Sequence, residues 1–157
     1  MTLFREHRGK VTRVVDGDTL DIEVDLSFRI TTHQRFRLQY IDTPERGDKK
    51  FKEATELLER LIEEQTTDGY FYFDSVKTGK YGRWLLVSRP LTSILAVQYP
   101  YGEKMTGAMK RLRKAMRKGK AAELIDYEHI YEKDYYDKIL EDIAEYGEEY
   151  FLERFIL

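Results

Sequence analysis

The chain has 157 residues, 41% of them apolar and 36% charged, and a formal net charge of −2, which is the profile of one globular domain with a heavily charged surface. No cysteine is present, so disulfide frameworks, thiolate metal sites and cysteine nucleophiles are excluded, and the scattered His7, His33 and His129 do not form a histidine metal motif. The balance of charge lacks the basic excess that usually marks a nucleic-acid binder.

The N-terminus has no apolar run of signal-peptide length, and no later stretch approaches the ~20 apolar residues of a membrane span. The expectation is a cytoplasmic product with no membrane partner. Gly9 to Val15 and Thr19 to Leu26 read as strands, the second alternating Leu20, Ile22, Val24 and Leu26 against Asp21, Glu23 and Asp25. Between them Asp16 and Asp18 flank Gly17, which permits a tight bend and leaves two carboxylates at a strand end. Ser27 to His33 is an extended or hairpin connection. Gln34 to Ile41 reads as a third strand, with Arg35, Arg37 and Gln39 on one face and Phe36, Leu38 and Tyr40 on the other. Pro44 cannot donate to a ladder and keeps Thr43 out of a helix, so the strand should stop at Asp42 or Thr43. Asp42 and Glu45 are then either groups presented by a rigid strand end or members of an ordinary Asx-type turn.

Lys52 to Glu64 is an amphipathic helix with Ala54, Leu57, Leu58, Leu61 and Ile62 on one face. Tyr70 to Val76 and Trp84 to Val87 are two more strands, joined by a glycine-punctuated turn, Lys77 to Arg83, that ends in an arginine. Five strands with a helix between the third and fourth match the Greek-key OB-fold barrel, an α+β architecture often used as a nucleic-acid platform. Residues 91 to 101 suit either a buried strand or a loop insertion. Gly102 opens a helical region to about Lys118, Gly119 breaks it, and a last helix or helix pair runs from about Tyr127 to Phe155. The whole reads as one domain, residues 9–87 forming barrel and first helix and 88–157 an insertion and C-terminal helices. Charge is unevenly spread: Lys104 to Lys120 holds eight cations and no acid, whereas Glu123 to Leu157 holds twelve acids against three bases. The basic run is either a solvated helix face or a nucleic-acid contact.

Four pieces in order carry a resemblance: Val15-Asp16-Gly17-Asp18-Thr19; Phe36-Arg37-Leu38 with Ile41-Asp42-Thr43-Pro44-Glu45; Glu53-Ala54 at the start of a helix; and Lys80-Tyr81-Gly82-Arg83. In these the chain resembles the staphylococcal nuclease family over roughly residues 9 to 87, and more weakly over 115 to 121. The resemblance implies the OB-fold independently. It further implies a monomeric, calcium-dependent nuclease that hydrolyses DNA and RNA with little sequence preference and leaves 3′-phosphate ends. By the same resemblance Asp18 and Asp42 would bind one calcium ion through their carboxylates and Thr43 through its carbonyl, with Asp16 an acid beside the metal. Glu45 would orient or deprotonate the attacking water, Arg37 and Arg83 would clamp the phosphate, and Lys80 and Tyr81 would grip a terminal phosphate. Tyr127 is the candidate for contact with the base. It begins a Tyr127, Tyr131, Tyr135 stripe at helical spacing that suits packing as well as stacking. Two departures from the family stand out: the segment from Arg46 to Lys52 is shorter than the family's mobile loop, and the chain beyond Arg83 is longer.

The residue types suit the chemistry. Phosphodiester cleavage needs an aligned nucleophile, neutralisation of charge on the non-bridging oxygens and an activated water. A hard cation on oxygen ligands contributes to each, and a planar guanidinium fork matches two phosphate oxygens where an ammonium cannot. Two alternatives belong to other classes. One is a non-catalytic OB-fold module that binds nucleic acid or protein; the other is an interaction protein of a phage or plasmid that uses the acidic C-terminal helix.

Overall fold

The computed structural model describes residues 5–77, 83–120 and 135–155. Within it the chain forms two compact units, one comprising Met1–Gln39 and Thr43–Leu91, the other Tyr40–Asp42 and Thr92–Leu157.

The first unit is a closed five-stranded barrel: β1 (Arg5–Asp16), β2 (Thr19–Asp25), β3 (Thr31–Leu38), β4 (Phe71–Lys77) and β5 (Trp84–Val87), in the order β1-β2-β3-β5-β4. All neighbours are antiparallel except β3 and β5, which run parallel, and this is the OB-fold arrangement expected from the sequence. Closure depends on β1, which pairs with β4 along Arg5 to Gly9 and with β2 from Gly9 onward. Irregularities in its register after Val11 and Val14 add the bend that a barrel needs. Alternation in β2 does what the pattern predicts: Leu20, Ile22 and Val24 are buried, and with Phe36, Leu38, Phe71, Phe73 and Leu86 they fill the interior. Helix α1 (Phe51–Gln65) turns its predicted face, Ala54, Leu57, Leu58, Leu61 and Ile62, onto the barrel against β1 and β4.

The connection at residues 27–30 is a hairpin, closed by Leu26 N–H to the Ile30 carbonyl at 2.9 Å. The third strand departs from expectation at both ends, starting at Thr31 and stopping at Leu38 rather than at Asp42 or Thr43. The apolar alternation continues through Tyr40 in the sequence, but the backbone has left the sheet: Tyr40 has φ 69°. Asp42 and Glu45 are therefore not at a strand end; they follow a turn.

The second unit is helical. Residues 91 to 101, expected as strand or loop, instead form helix α2 (Leu91–Gln98), with Leu91 through Val97 all buried. A segment buried on every side has no amphipathic period, so the sequence cannot distinguish helix from strand there. Helix α3 (Glu103–Arg117) buries Met105, Ala108, Met109, Leu112 and Met116 and ends before Gly119, whose φ of 68° places it in the left-handed region. Helices α4 (Tyr136–Tyr146) and α5 (Glu148–Leu152) complete the unit, contributing Tyr136, Ile139, Leu140, Ile143 and Phe151 to its core. The residues 40–42 belong here: Tyr40 stacks on Tyr135 with ring centroids 4.4 Å apart, Ile41 bridges to Pro100, and the Asp42 N–H donates to the Tyr99 carbonyl at 3.0 Å. Among the described residues no helix is long and apolar enough to cross a membrane.

Candidate functional site

Register and close packing build the site in the barrel unit. Thr19 pairs with Arg37 across β2 and β3, and the Leu38 N–H donates to the Asp18 carbonyl at 2.8 Å, so Asp18 and Arg37 are held side by side. The bend before Asp18 is an Asx turn in which Asp16 Oδ1 accepts the Asp18 N–H at 3.0 Å. Gly17 serves this bend through its lack of a side chain rather than through an unusual backbone angle. A Cβ there would lie 2.9 Å from the Ala54 Cβ and from two carbons of Thr43. Gly17 of the Asp-Gly-Asp piece, Thr43 before Pro44 and Ala54 after Glu53 are thus parts of one contact, in which the acid turn packs against Thr43 and α1.

Asp18 is the hub. Its side chain is 14% exposed; Oδ1 accepts the Thr19 hydroxyl at 3.0 Å, Oδ2 accepts the Thr43 N–H at 3.3 Å, and the Arg37 guanidinium lies 3.6 Å from Oδ2. Arg37 also donates to the Leu38 carbonyl at 2.7 Å, which fixes its fork in place. Titration of the two acids is split by this environment. Burial raises the Asp16 pKa above the usual carboxylate range, and the neighbouring Asp18 raises it further. Burial pushes Asp18 the same way but is outweighed by a proton held on Asp16, by Arg37, by the Thr43 N–H and by Thr19, leaving Asp18 lowered. Of the two acids, Asp16 is thus the more readily protonated and Asp18 the more readily ionised.

The expected site residues fall into three groups. Asp16, Asp18, Arg37 and Thr43 come together as described. Glu45, in the barrel unit, is exposed, and its carbonyl accepts the Asp48 N–H at 3.0 Å; Arg83 is half-buried and directly precedes β5; Asp42, in the helical unit, is exposed. Lys80, Tyr81 and Tyr127 lie outside the described residues. Sequence reasoning missed the part played by Thr19. Its signal was a hydroxyl next to an acid on a strand, in register with an arginine, and it is 6% exposed.

Among the described residues no three His, Cys, Asp or Glu side chains gather into a metal cage. The donors nevertheless suit a hard cation. Two carboxylates lie in a partly buried turn where burial first, and then Asp18, raise the Asp16 pKa, and calcium accepts backbone carbonyls and water as readily as side chains. Arg37 supplies positive charge beside Asp18.

No protein-family model matches this chain, and no curated protein matches it.

Proposed function

We propose that the chain is a metal-dependent phosphodiesterase of the staphylococcal nuclease type that hydrolyses DNA and RNA. One observation carries this reading: a largely buried, ionised aspartate is fixed between an arginine fork and a backbone N–H beside a second acid, in the order and spacing that the nuclease motifs have in the sequence. A structural ion pair alone does not need Asp16, whose charge is unfavourable there.

Asp18 and the Thr43 carbonyl, with Asp42 immediately before Thr43 in the chain, would hold the calcium ion. When bound, that ion would neutralise charge on the phosphate and acidify water. Arg37 would exchange its place beside Asp18 for the phosphate oxygens, since the same planar fork serves either anion. Arg83 would take the opposite side of the phosphate, and Glu45, exposed and able to reach water, would orient or deprotonate the nucleophile. Cleavage would break the bond to the 5′-oxygen and leave a 3′-phosphate.

The test is a gel assay of single- and double-stranded DNA and of RNA, each in calcium, in magnesium and in chelator. Activity in calcium that disappears in chelator is the expected outcome. Full activity in chelator would overturn the metal-dependent reading, and binding with no cleavage in any metal would make the chain an OB-fold binding module.

A further inference from the structure

After Glu103 in its first turn, every charged residue of helix α3 is a cation. Met105, Ala108, Met109, Leu112 and Met116 recur at intervals of three and four and face the core of the helical unit, which fixes the rotation of the helix. Away from that face Lys110, Arg111, Lys114 and Arg117 are exposed, and exposed Lys118 and Lys120 follow. Arg113 is different. Its guanidinium turns inward and donates to the Val97 carbonyl, and burial, with Arg117 nearby, lowers its pKa; it anchors α3 to α2.

An ordinary solvated helix face mixes signs, because opposite charges four residues apart add roughly 0.2–0.5 kcal/mol and like charges cost a similar amount. Helix α3 instead repeats like charges at that spacing, Lys110 with Lys114 and Lys114 with Lys118. Glu148 at the start of α5 approaches the far end of this segment, 4.0 Å from where a Gly119 Cβ would stand. Among the described residues Lys110, Lys114, Arg117, Lys118 and Lys120 enter no ion pair. Like charges at this spacing cost stability, which the helix dipole offsets in part at Lys114 and Arg117 in the last turn, and the whole face becomes favourable against a polyanion.

From this we infer that the exposed face of α3 docks the phosphodiester backbone of a nucleic acid without regard to sequence. The inference rests on the nuclease reading only for the identity of the polyanion. At 1.5 Å per residue Lys110 to Lys118 spans about 12 Å, the length over which one strand of a duplex presents three or four phosphates. A lipid surface fits less well. A helix that lies in a membrane interface needs a free apolar face, and the large apolar side chains of α3 are buried in the protein.

The experiment is fluorescence anisotropy of labelled 16-mer single-stranded and duplex DNA in chelator, from about 50 to 300 mM salt. It compares the full chain with the quadruple variant Lys110→Gln, Lys114→Gln, Arg117→Gln, Lys118→Gln, whose fold is checked by circular dichroism. Expected is at least tenfold weaker binding of the variant at the lowest salt. Its plot of log affinity against log salt should be shallower by about three to four for the duplex, close to one for each lost phosphate contact. Equal affinity and slope for the two proteins would overturn the inference, as would binding to anionic vesicles that equals or exceeds binding to DNA. Because the readout needs no hydrolysis, a wild-type protein that binds through α3 but cleaves nothing would defeat the nuclease reading and leave this one standing.

Discussion

The barrel and the helical unit differ in where they place their charged pairs and anchors. On the barrel, Arg8 pairs with Asp25 and Arg35 with Asp21, each at 2.8 Å, on the outer surface between strands, while the interior is closed by aliphatic and aromatic side chains. The helical unit takes polar groups inside: Ser93 donates to Asp142 where both are wholly buried, and Arg113 reaches the Val97 carbonyl. A closed sheet satisfies its own backbone, so its outward residues can vary without affecting the core. Short helices leave orphan carbonyls and must be tied together by side chains. The difference teaches that chemistry can be placed on the barrel at little cost to folding, whereas polar residues of the helical unit are part of its stability.

The largest expected effect tests that separation directly. Glu45→Gln should slow hydrolysis by roughly two to four decades, as for a lost base or water-orienting group, and leave the melting temperature unchanged because the residue is exposed. A melting temperature that falls with the rate would show that Glu45 holds the fold as well. Arg83→Lys keeps the charge but loses the fork, so it should also lose at least a decade of rate. An Arg83→Lys enzyme with most of its activity would remove Arg83 from the phosphate clamp.

In the helical unit the same kind of change should act on stability. Asp142→Ala removes the Ser93 hydroxyl's acceptor in a fully buried site, and should cost about 3 kcal/mol in denaturant unfolding. A loss below about 1 kcal/mol would mean that the interior of this unit is wetter or more adaptable than its burial implies.

Gly17→Ala lies between the two regimes. The added methyl meets Ala54 and Thr43 at 2.9 Å, so overpacking should cost about 2 kcal/mol, and the turn that carries Asp16 and Asp18 should shift with it. Hydrolysis should fall even where the barrel stays folded, and the double variant with Ala54→Gly should recover part of both losses. No recovery would separate the acid turn from α1.

How much of this was legible follows from the same contrast. The barrel was readable because β2 alternates without interruption and because α1 keeps a clean apolar face. The end of β3 was not, since Tyr40 and Ile41 continue the apolar pattern for a different purpose, packing with Tyr135 and Pro100 in the helical unit. Helix α2 gave no period because it is buried all round. The acid turn was visible as a motif, but its physical basis, a glycine against Thr43 and Ala54, joins residues too far apart in the chain for spacing to reveal.

The smallest effect concerns the charge of the acid pair. Asp18 has a folded pKa below its unfolded value, so its contribution to stability is present above the unfolded pKa of about 3.9 and is lost as pH falls through the folded value. Asp16 has the opposite sign. Its folded pKa is raised, so its contribution is fully present below about 3.9 and is lost as pH rises through the folded value. Asp16→Asn fixes this position in a neutral state that can still accept the Asp18 N–H and donate to the Asp18 carboxylate. The variant should therefore melt slightly higher than wild type at pH 7, by no more than about 3 °C, and the two curves should merge below about pH 4. If the gain persists undiminished to pH 3, it does not come from the Asp16 charge. If the variant is less stable at pH 7, the carboxylate of Asp16 is held by a partner that outweighs both its burial and the repulsion of Asp18, and the raised pKa assigned to Asp16 is wrong.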